Sequence, residues 1–230
     1  MPQSASGRPP TRRQLAAEQT RQKLLRAALD SFSERPYAEV TVGDIARSAG
    51  VAHGLLSHHF NGKDGLFAEA VREMDRQLRD ATRVPAEGSA AERLRHHFAA
   101  HLRFLADHEH AAVNLVLRRA EATDVAWEAF ESARREGRRT VCALLGLDAG
   151  TPSLALPLRG FTAACDEMAL QWLREGRRED IDTLVGFFVT FLTGALRAAY
   201  EVTPTPALRD ALAGLRDDAA DVSLPGPDVR

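Results

Sequence analysis

Apolar residues in the second half of this chain recur at alternating spacings of three and four. Leu158, Phe161, Cys165, Met168 and Trp172 form one such series, and Ile181, Leu184, Phe188, Phe191, Ala195 and Ala198 form another. A 3.6-residue turn brings positions so spaced onto one stripe, and no comparably long segment alternates with a period of two. The fold class this predicts is all-α. In the second series Val185, Val189, Leu192 and Leu196 make a further apolar face of the same helix. A helix apolar on two sides needs two neighbours, one within its own chain and one elsewhere. Gly186, Thr190 and Gly194, four apart, leave room for a neighbouring backbone.

Turn-forming clusters divide the chain at Arg35-Pro36, at 84–89, at 148–153, at 174–180 and at 203–206. They leave helices expected near 17–34, 42–48, 53–59, 63–82, 90–106, 110–120, 124–145, 154–174, 180–200 and 206–216. The first helices are short and closely spaced, and the break at 84–89 separates them from a larger helical body. With 230 residues, 44% of them hydrophobic, the chain can bury a core, which excludes a disordered or fibrous protein. Its longest nearly uncharged apolar run, Leu184 to Leu196, is about 13 residues against the ~20 that span a bilayer. Arg and Pro stand in the first residues where a secretory leader would have its apolar centre. No membrane association is therefore expected, and the cytoplasm is the expected location.

Charge is unevenly placed. Residues 1–63 hold nine Lys and Arg against five Asp and Glu, although the whole chain carries a net −2. A basic end on an acidic body fits a nucleic-acid-binding module joined to something else. Within it, Thr41 to Phe60 reads position by position. Thr41 is placed to cap a short helix, with Asp44 near the positive end of its dipole. Val42, Ile45, Ala46 and Ala49 share one side, and Gly50 supplies the left-handed residue that ends the helix. Val51 returns to the core. Leu56 and Phe60, four apart, bury the inner face of a second helix, leaving His53, Leu55, Ser57, His58 and His59 turned outward. This is a helix-turn-helix, whose second helix enters a major groove. An ordinary helical hairpin is the alternative.

The run from Lys23 to Phe67, KLLRAALDSFSERPYAEVTVGDIARSAGVAHGLLSHHFNGKDGLF, resembles the N-terminal domain of TetR-family transcriptional regulators, and Gly54–Phe60 with Gly62–Leu66 is most similar to its BetI-like branch. The resemblance covers about the first 70 residues. It implies a three-helix DNA-binding domain at 17–65, a basic arm without regular structure at 1–16 that carries Arg8, Arg12 and Arg13, and a connecting helix at 66–84. A ligand-binding and dimerisation domain would follow at 85–217, then a flexible tail at 218–230. By the same resemblance Thr41, Ser57, His58, His59 and Lys63 contact phosphates, and Ala52, His53, Gly54 and Leu55 face base edges. Two departures stand out. Ser57 occupies a position where many members have tyrosine, and Pro36 replaces the glycine that commonly precedes the aromatic Tyr37. Proline disfavours a helical Arg35, so the first helix should stop there.

The resemblance further implies a homodimer formed through the last long helices, with Leu158, Phe161, Cys165, Met168, Ile181, Leu184, Phe188, Phe191 and Ala195 at the interface. Two recognition helices one turn apart would read a palindromic double-stranded operator, and a small-molecule effector would release a repressor. Phe104, Asn114, Leu117, Arg118, Trp127, Phe130, Asp166, Gln171 and Trp172 are the expected pocket lining. A regulator of the same fold controlled by a protein partner, or a helical enzyme or binding module whose N-terminal domain no longer reads DNA, are the other readings. No cofactor is expected. Cys142 and Cys165 lack zinc spacing, and no phosphate loop or nucleophile-base pair is present. His96, His97, His101, His108 and His110 lack a completing carboxylate or Cys, so they are expected in solvent rather than on a metal. Arg134, Arg135, Arg138 and Arg139 are likewise expected on a solvated helix face.

Overall fold

The computed structural model describes residues 11–117 and 124–217, and among these every regular element is helical. The helices are α1 (Arg12–Glu34), α2 (Val42–Ala49), α3 (Gly54–Phe60), α4 (Lys63–Ala81), α5 (Ala90–Asp107), α6 (Glu109–Ala111, widening into a π-helical turn over Ala112–Leu117), α7 (Asp124–Leu144), α8 (Pro152–Arg174), α9 (Ile181–Val202) and α10 (Pro206–Asp217). Most bounds fall within two residues of the sequence expectation. The main exception is the start of α1. Thr11 and Gln14 form a reciprocal capping box that begins the helix at Arg12, so residues 12–16 are helical rather than part of an arm. Arg8 and the expected tail at 218–230 lie outside the described residues.

Helix α1 ends as the Pro36 argument requires. Arg35 is extended, with φ −133° and ψ 146°, and its N–H returns to the Ser31 carbonyl at 3.1 Å. Leu24, Ala28 and Phe32 from α1 meet Ile45, Leu56, Phe60, Leu66 and Phe67 in one small core. Phe67 stands edge-on to Phe32 with ring centroids 4.9 Å apart, and Tyr37 lies 4.9 Å from it on another side. Helix α4 is shared. Its first turns belong to this core, while Val71 and Met74 are buried toward the body.

In the body α8 and α9 pack together across a six-residue turn, in which the Trp172 indole N–H donates to the Glu179 carbonyl at 2.9 Å. Helix α9 also contacts α5 and α10. It is long and apolar enough to cross a membrane by length and composition, which corrects the expectation drawn from its uncharged stretch alone. Leu184, Val185, Phe188, Val189, Leu192, Leu196 and Ala199 bury its inner face, as in the core helix of a folded body.

Candidate nucleic-acid interface and interior cavity

The Thr41 hydroxyl accepts from the Asp44 N–H at 3.1 Å and donates to the Asp44 carboxylate at 2.7 Å, starting α2. Arg47 reaches the same carboxylate at 3.1 Å. The Thr41 bond, then Arg47, hold the Asp44 carboxyl below the usual carboxylate range. At the other end Gly50 adopts φ 66° and ψ 35°, and the Val51 N–H donates to the Ala46 carbonyl at 3.0 Å. The chain thereby turns into α3, whose Leu56 and Phe60 are buried.

Anchored from beneath, α3 and the turn that leads into it present Ala52, His53, Gly54, Leu55, Ser57 and His58 to solvent, and His59 is half-buried beside Phe60. The expected base-facing positions, and Thr41, Ser57 and His58 among the expected phosphate contacts, are thus exposed. Lys63 differs. Its Nζ lies 4.0 Å from the Tyr37 ring centroid, and burial lowers its pKa, so it already has an aromatic partner. Tyr37 in turn donates its hydroxyl to Asp64. Gly65 has no room for a side chain, because a Cβ there would collide with the Phe60 carbonyl oxygen. The angle between α3 and α4 therefore depends on this glycine.

A cavity of about 510 Å³ lies in the body between α4, α5, α7, α8 and α9. Pockets of ~300–1,000 Å³ suit small-molecule ligands. Its floor is apolar, with Phe98, Phe130, Leu158, Phe161 and Phe188, and its rim carries arginines. Of the expected pocket residues, Phe130 and Asp166 do line it, and Arg134 donates to Asp166 at 2.8 Å. Other assignments need correction. Phe104 is buried elsewhere, stacked on His108, and Trp172 is occupied by the Glu179 carbonyl. Trp127 and Gln171 are exposed. Asn114 instead donates to the Ser33 carbonyl at 2.7 Å, joining the π-helical turn to α1. The side chain of Leu117 and all of Arg118 lie outside the described residues.

Two further expectations fail for one reason. The wall of this cavity recruits residues that look like surface in the sequence. His97 is buried, with Nδ1 3.2 Å from the Thr82 carbonyl, and His101 lines the cavity, where burial, then His97 and Arg134, push its pKa down to about 4. His96, His108 and His110 are exposed, and among the described residues no group of three His, Cys, Asp or Glu is placed to hold a metal. Arg134 and Arg138 likewise belong to the wall, whereas Arg135 and Arg139 are in solvent. The signal for this was present: Arg134, Val141, Ala133 and Phe130 share the helical face that a solvated arginine run would not.

The expected dimer seam divides in the same way. Leu158, Phe161, Leu184 and Phe188 are 2, 7, 3 and 3% exposed, so the chain's own core occupies them. Cys165 joins them at the cavity, where burial pushes its thiol pKa up. Ile181, Met168 and Ala195 are half-buried, and Phe191 is 50% exposed. The outward face of the helix pair is instead Ala155, Leu156, Gly160 and Ala163 on α8 with Phe187, Thr190, Phe191 and Gly194 on α9.

A family model described as bacterial regulatory proteins, tetR family, matches residues 24–70. HTH-type transcriptional regulators BetI from Klebsiella pneumoniae and Escherichia coli are 42% and 41% identical to this chain over 78 residues, which are 32% of the chain and 40% of those proteins. The chain thus spans about 40% of the length of these curated relatives. The similarity of fold extends further. A tetR-family transcriptional regulator from Streptomyces coelicolor superposes with a TM-score of 0.69 at 25% identity, covering 91% of this chain and 92% of that one. The regulator FadR from Bacillus subtilis, solved in complex with stearoyl-CoA, gives 0.58 at 18% identity over 80% and 99% of the two chains.

Proposed function

We propose, from the tetR-family match over residues 24–70 and the likeness in fold to a tetR-family regulator, that the chain is a transcriptional regulator of that family that binds a palindromic operator as a homodimer, represses from it, and is released by a small molecule held in the body. The observation that carries this reading is the outer face of α3. Residues 52–55 with Ser57 and His58 are solvent-exposed on a helix anchored by Leu56 and Phe60, within the segment most similar to BetI. Gly54 permits close approach, His53 can hydrogen-bond a base edge or phosphate, and Leu55 can pack on a thymine methyl. Thr41, Ser57, His58 and His59 border that face as phosphate contacts, with Lys63 contributing from above Tyr37.

Dimerisation is supported by α8 and α9. Phe187 and Phe191, 48 and 50% exposed, stand beside Gly194 and the small residues of α8 on a face that the monomer leaves uncovered. A second copy there would form a four-helix bundle and set two α3 helices about one DNA turn apart. The cavity supports an effector, since a ligand that favours one spacing of those helices shifts the population away from the operator-bound state. FadR of Bacillus subtilis holds an acyl-CoA in the same fold. No catalytic role is assigned to any residue, and the place of action is the cytoplasm.

A mobility-shift assay on DNA upstream of the chain's own gene tests the reading, with Leu55→Ala and Ser57→Ala as variants. The expected result is a salt-dependent complex with two copies of the chain per site, lost or weakened about tenfold in the variants. A monomeric protein, or one that binds none of the genomic DNA in dilute buffer, overturns it.

A further inference from the structure

The charges around the cavity do not cancel. Each acid on its wall already has an arginine: Asp75 pairs with Arg79, and Asp166 pairs with Arg134 at 2.8 Å. Glu131, just behind the wall, is held by Arg159 at 2.9 Å. Of the remaining arginines on the wall, Arg83 pairs with Asp80 at 2.7 Å. Arg93 and Arg138 are different. Among the described residues neither has a carboxylate within ion-pair distance, and the Nε of Arg93 is buried without any hydrogen-bond partner. Both side chains are withdrawn from bulk water, and Arg138 sits among Arg134, Arg135 and Arg159, so that burial and then the Arg159 charge lower its pKa.

Guanidinium groups partly removed from water without an ion-pair partner are unfavourable until an anion meets them, the Glu131 charge offsetting this at Arg138 only in part, and their planar fork suits carboxylate and phosphate oxygens. A cationic ligand would find no unpaired carboxylate among the described residues of this wall. The rest of the lining is dominated by aromatic and aliphatic side chains, with His101 and Thr162 as isolated polar groups among them, which favours an apolar body. We infer that the cavity takes an amphiphilic anion, a carboxylate or a phosphate ester carried on an apolar body, with its head group on Arg93 or Arg138 and its body against Phe98, Phe161 and Phe188. This rests on the reading of the cavity as the effector site and assigns that effector its chemical class.

Four probes with one tail separate the possibilities: dodecanoate, dodecyl phosphate, 1-dodecanol and dodecylamine, each below its aggregation concentration. Binding to the full chain is measured by calorimetry at pH 7.5, and release of operator DNA by fluorescence anisotropy. At least one of the two anions binds and releases DNA, and the tighter of the two identifies the head group. The alcohol binds at least about tenfold more weakly than the tighter anion, and the amine more weakly still. Arg93→Gln or Arg138→Gln weakens the anion about tenfold or more and leaves the alcohol unchanged, with unaltered circular dichroism. Equal binding of alcohol and anion, or anion affinity within twofold of wild type in both variants, overturns the head-group assignment. In that event DNA release by the alcohol would leave the effector reading standing. Binding by none of the four overturns the assignment as well.

Discussion

Replacing Gly65 by alanine sets two effects of opposite sign against each other. Inside a helix the change ordinarily stabilises by up to ~1 kcal/mol, because alanine has the higher helix propensity. Here the added Cβ would collide with the Phe60 carbonyl oxygen and stand 3.0 Å from its carbonyl carbon. The obstacle is main chain at the end of α3, so it cannot rotate aside, and α3 must move relative to α4. Overpacking of this kind costs ~1–3 kcal/mol, and a backbone obstacle places it at the upper end. The net expectation is a loss of about 2 kcal/mol. Gly137 in α7 is the control, since a Cβ there meets nothing within 4 Å. Gly137→Ala should gain up to ~1 kcal/mol. Urea unfolding followed by circular dichroism measures both, with an unchanged dependence on denaturant confirming that stability alone has shifted. Displacement of α3 should also weaken operator binding in Gly65→Ala more than in any variant of equal stability. A Gly65→Ala protein as stable as wild type would refute the reasoning, because the collision would then not govern the α3–α4 angle.

The remaining predictions concern the body. His101 has its pKa down at about 4, against ~6.5 in an unfolded chain. Between those values the unfolded state binds more protons, so this contribution is complete above pH ~6.5 and is lost as pH falls toward 4. The loss is at most ~3 kcal/mol, and less to the extent that solvent reaches the half-buried ring. Melting temperatures at pH 7 and 5 should draw together for wild type and His101→Gln, and a constant gap contradicts the assignment. Phe191→Glu, with Phe187→Glu as its companion, should yield a folded monomer by analytical ultracentrifugation, whereas a persistent dimer would remove the outward face of α9 from the interface. Phe67→Leu should leave DNA affinity and ligand affinity each within a few-fold of wild type while shrinking the effect of ligand on DNA binding. Unchanged ligand-induced release would exclude the aromatic contact from the coupling.

The N-terminal region was legible because its signals are local. Thr41, Gly50, Leu56 and Phe60 each do within a few residues what their chemistry requires, and Pro36 ends α1 by a constraint on its immediate neighbour. Helix boundaries in the body followed from caps and turns for the same reason. Which side of a body helix faces what is a non-local matter. The series Leu158, Phe161, Cys165 and the series Leu184, Phe188 have the spacing of an interface, yet α5 and α7 cover them and leave a cavity between. Conversely, Phe187 and Phe191 lie on the face left over after α9 has met α5, α8 and α10. Periodicity finds a stripe but does not say which partner covers it. Arg134 and Arg138 were missed through the same ambiguity. A run of charge reads as solvated unless the apolar positions interleaved with it, Phe130 and Val141, show the same face turned inward.

The cavity and the α3 surface are joined by one element. Helix α4 has 19 residues, about 28 Å of nearly rigid rod. Its first turn holds α3 through the close approach at Gly65, and its last turn forms part of the cavity wall, where Leu78 and Thr82 stand and the Thr82 carbonyl meets His97. Along its length Glu69 with Arg72, Glu73 with Arg76 and Asp75 with Arg79 pair across successive turns, which favours a rod over a hinge. A second link runs beside it. Phe130 on the cavity floor lies 6.4 Å from Phe67, which packs on Phe32 and Tyr37 in the small core. A ligand that displaces the floor or the far end of α4 therefore acts on the same few residues that set the attitude of α3, and packed aromatic contacts cannot absorb such a shift by compression. The Asn114 to Ser33 hydrogen bond opposes free rotation of α1 against the body. In the proposed dimer, a tilt led by α4 is the displacement that would alter the separation of the two α3 helices.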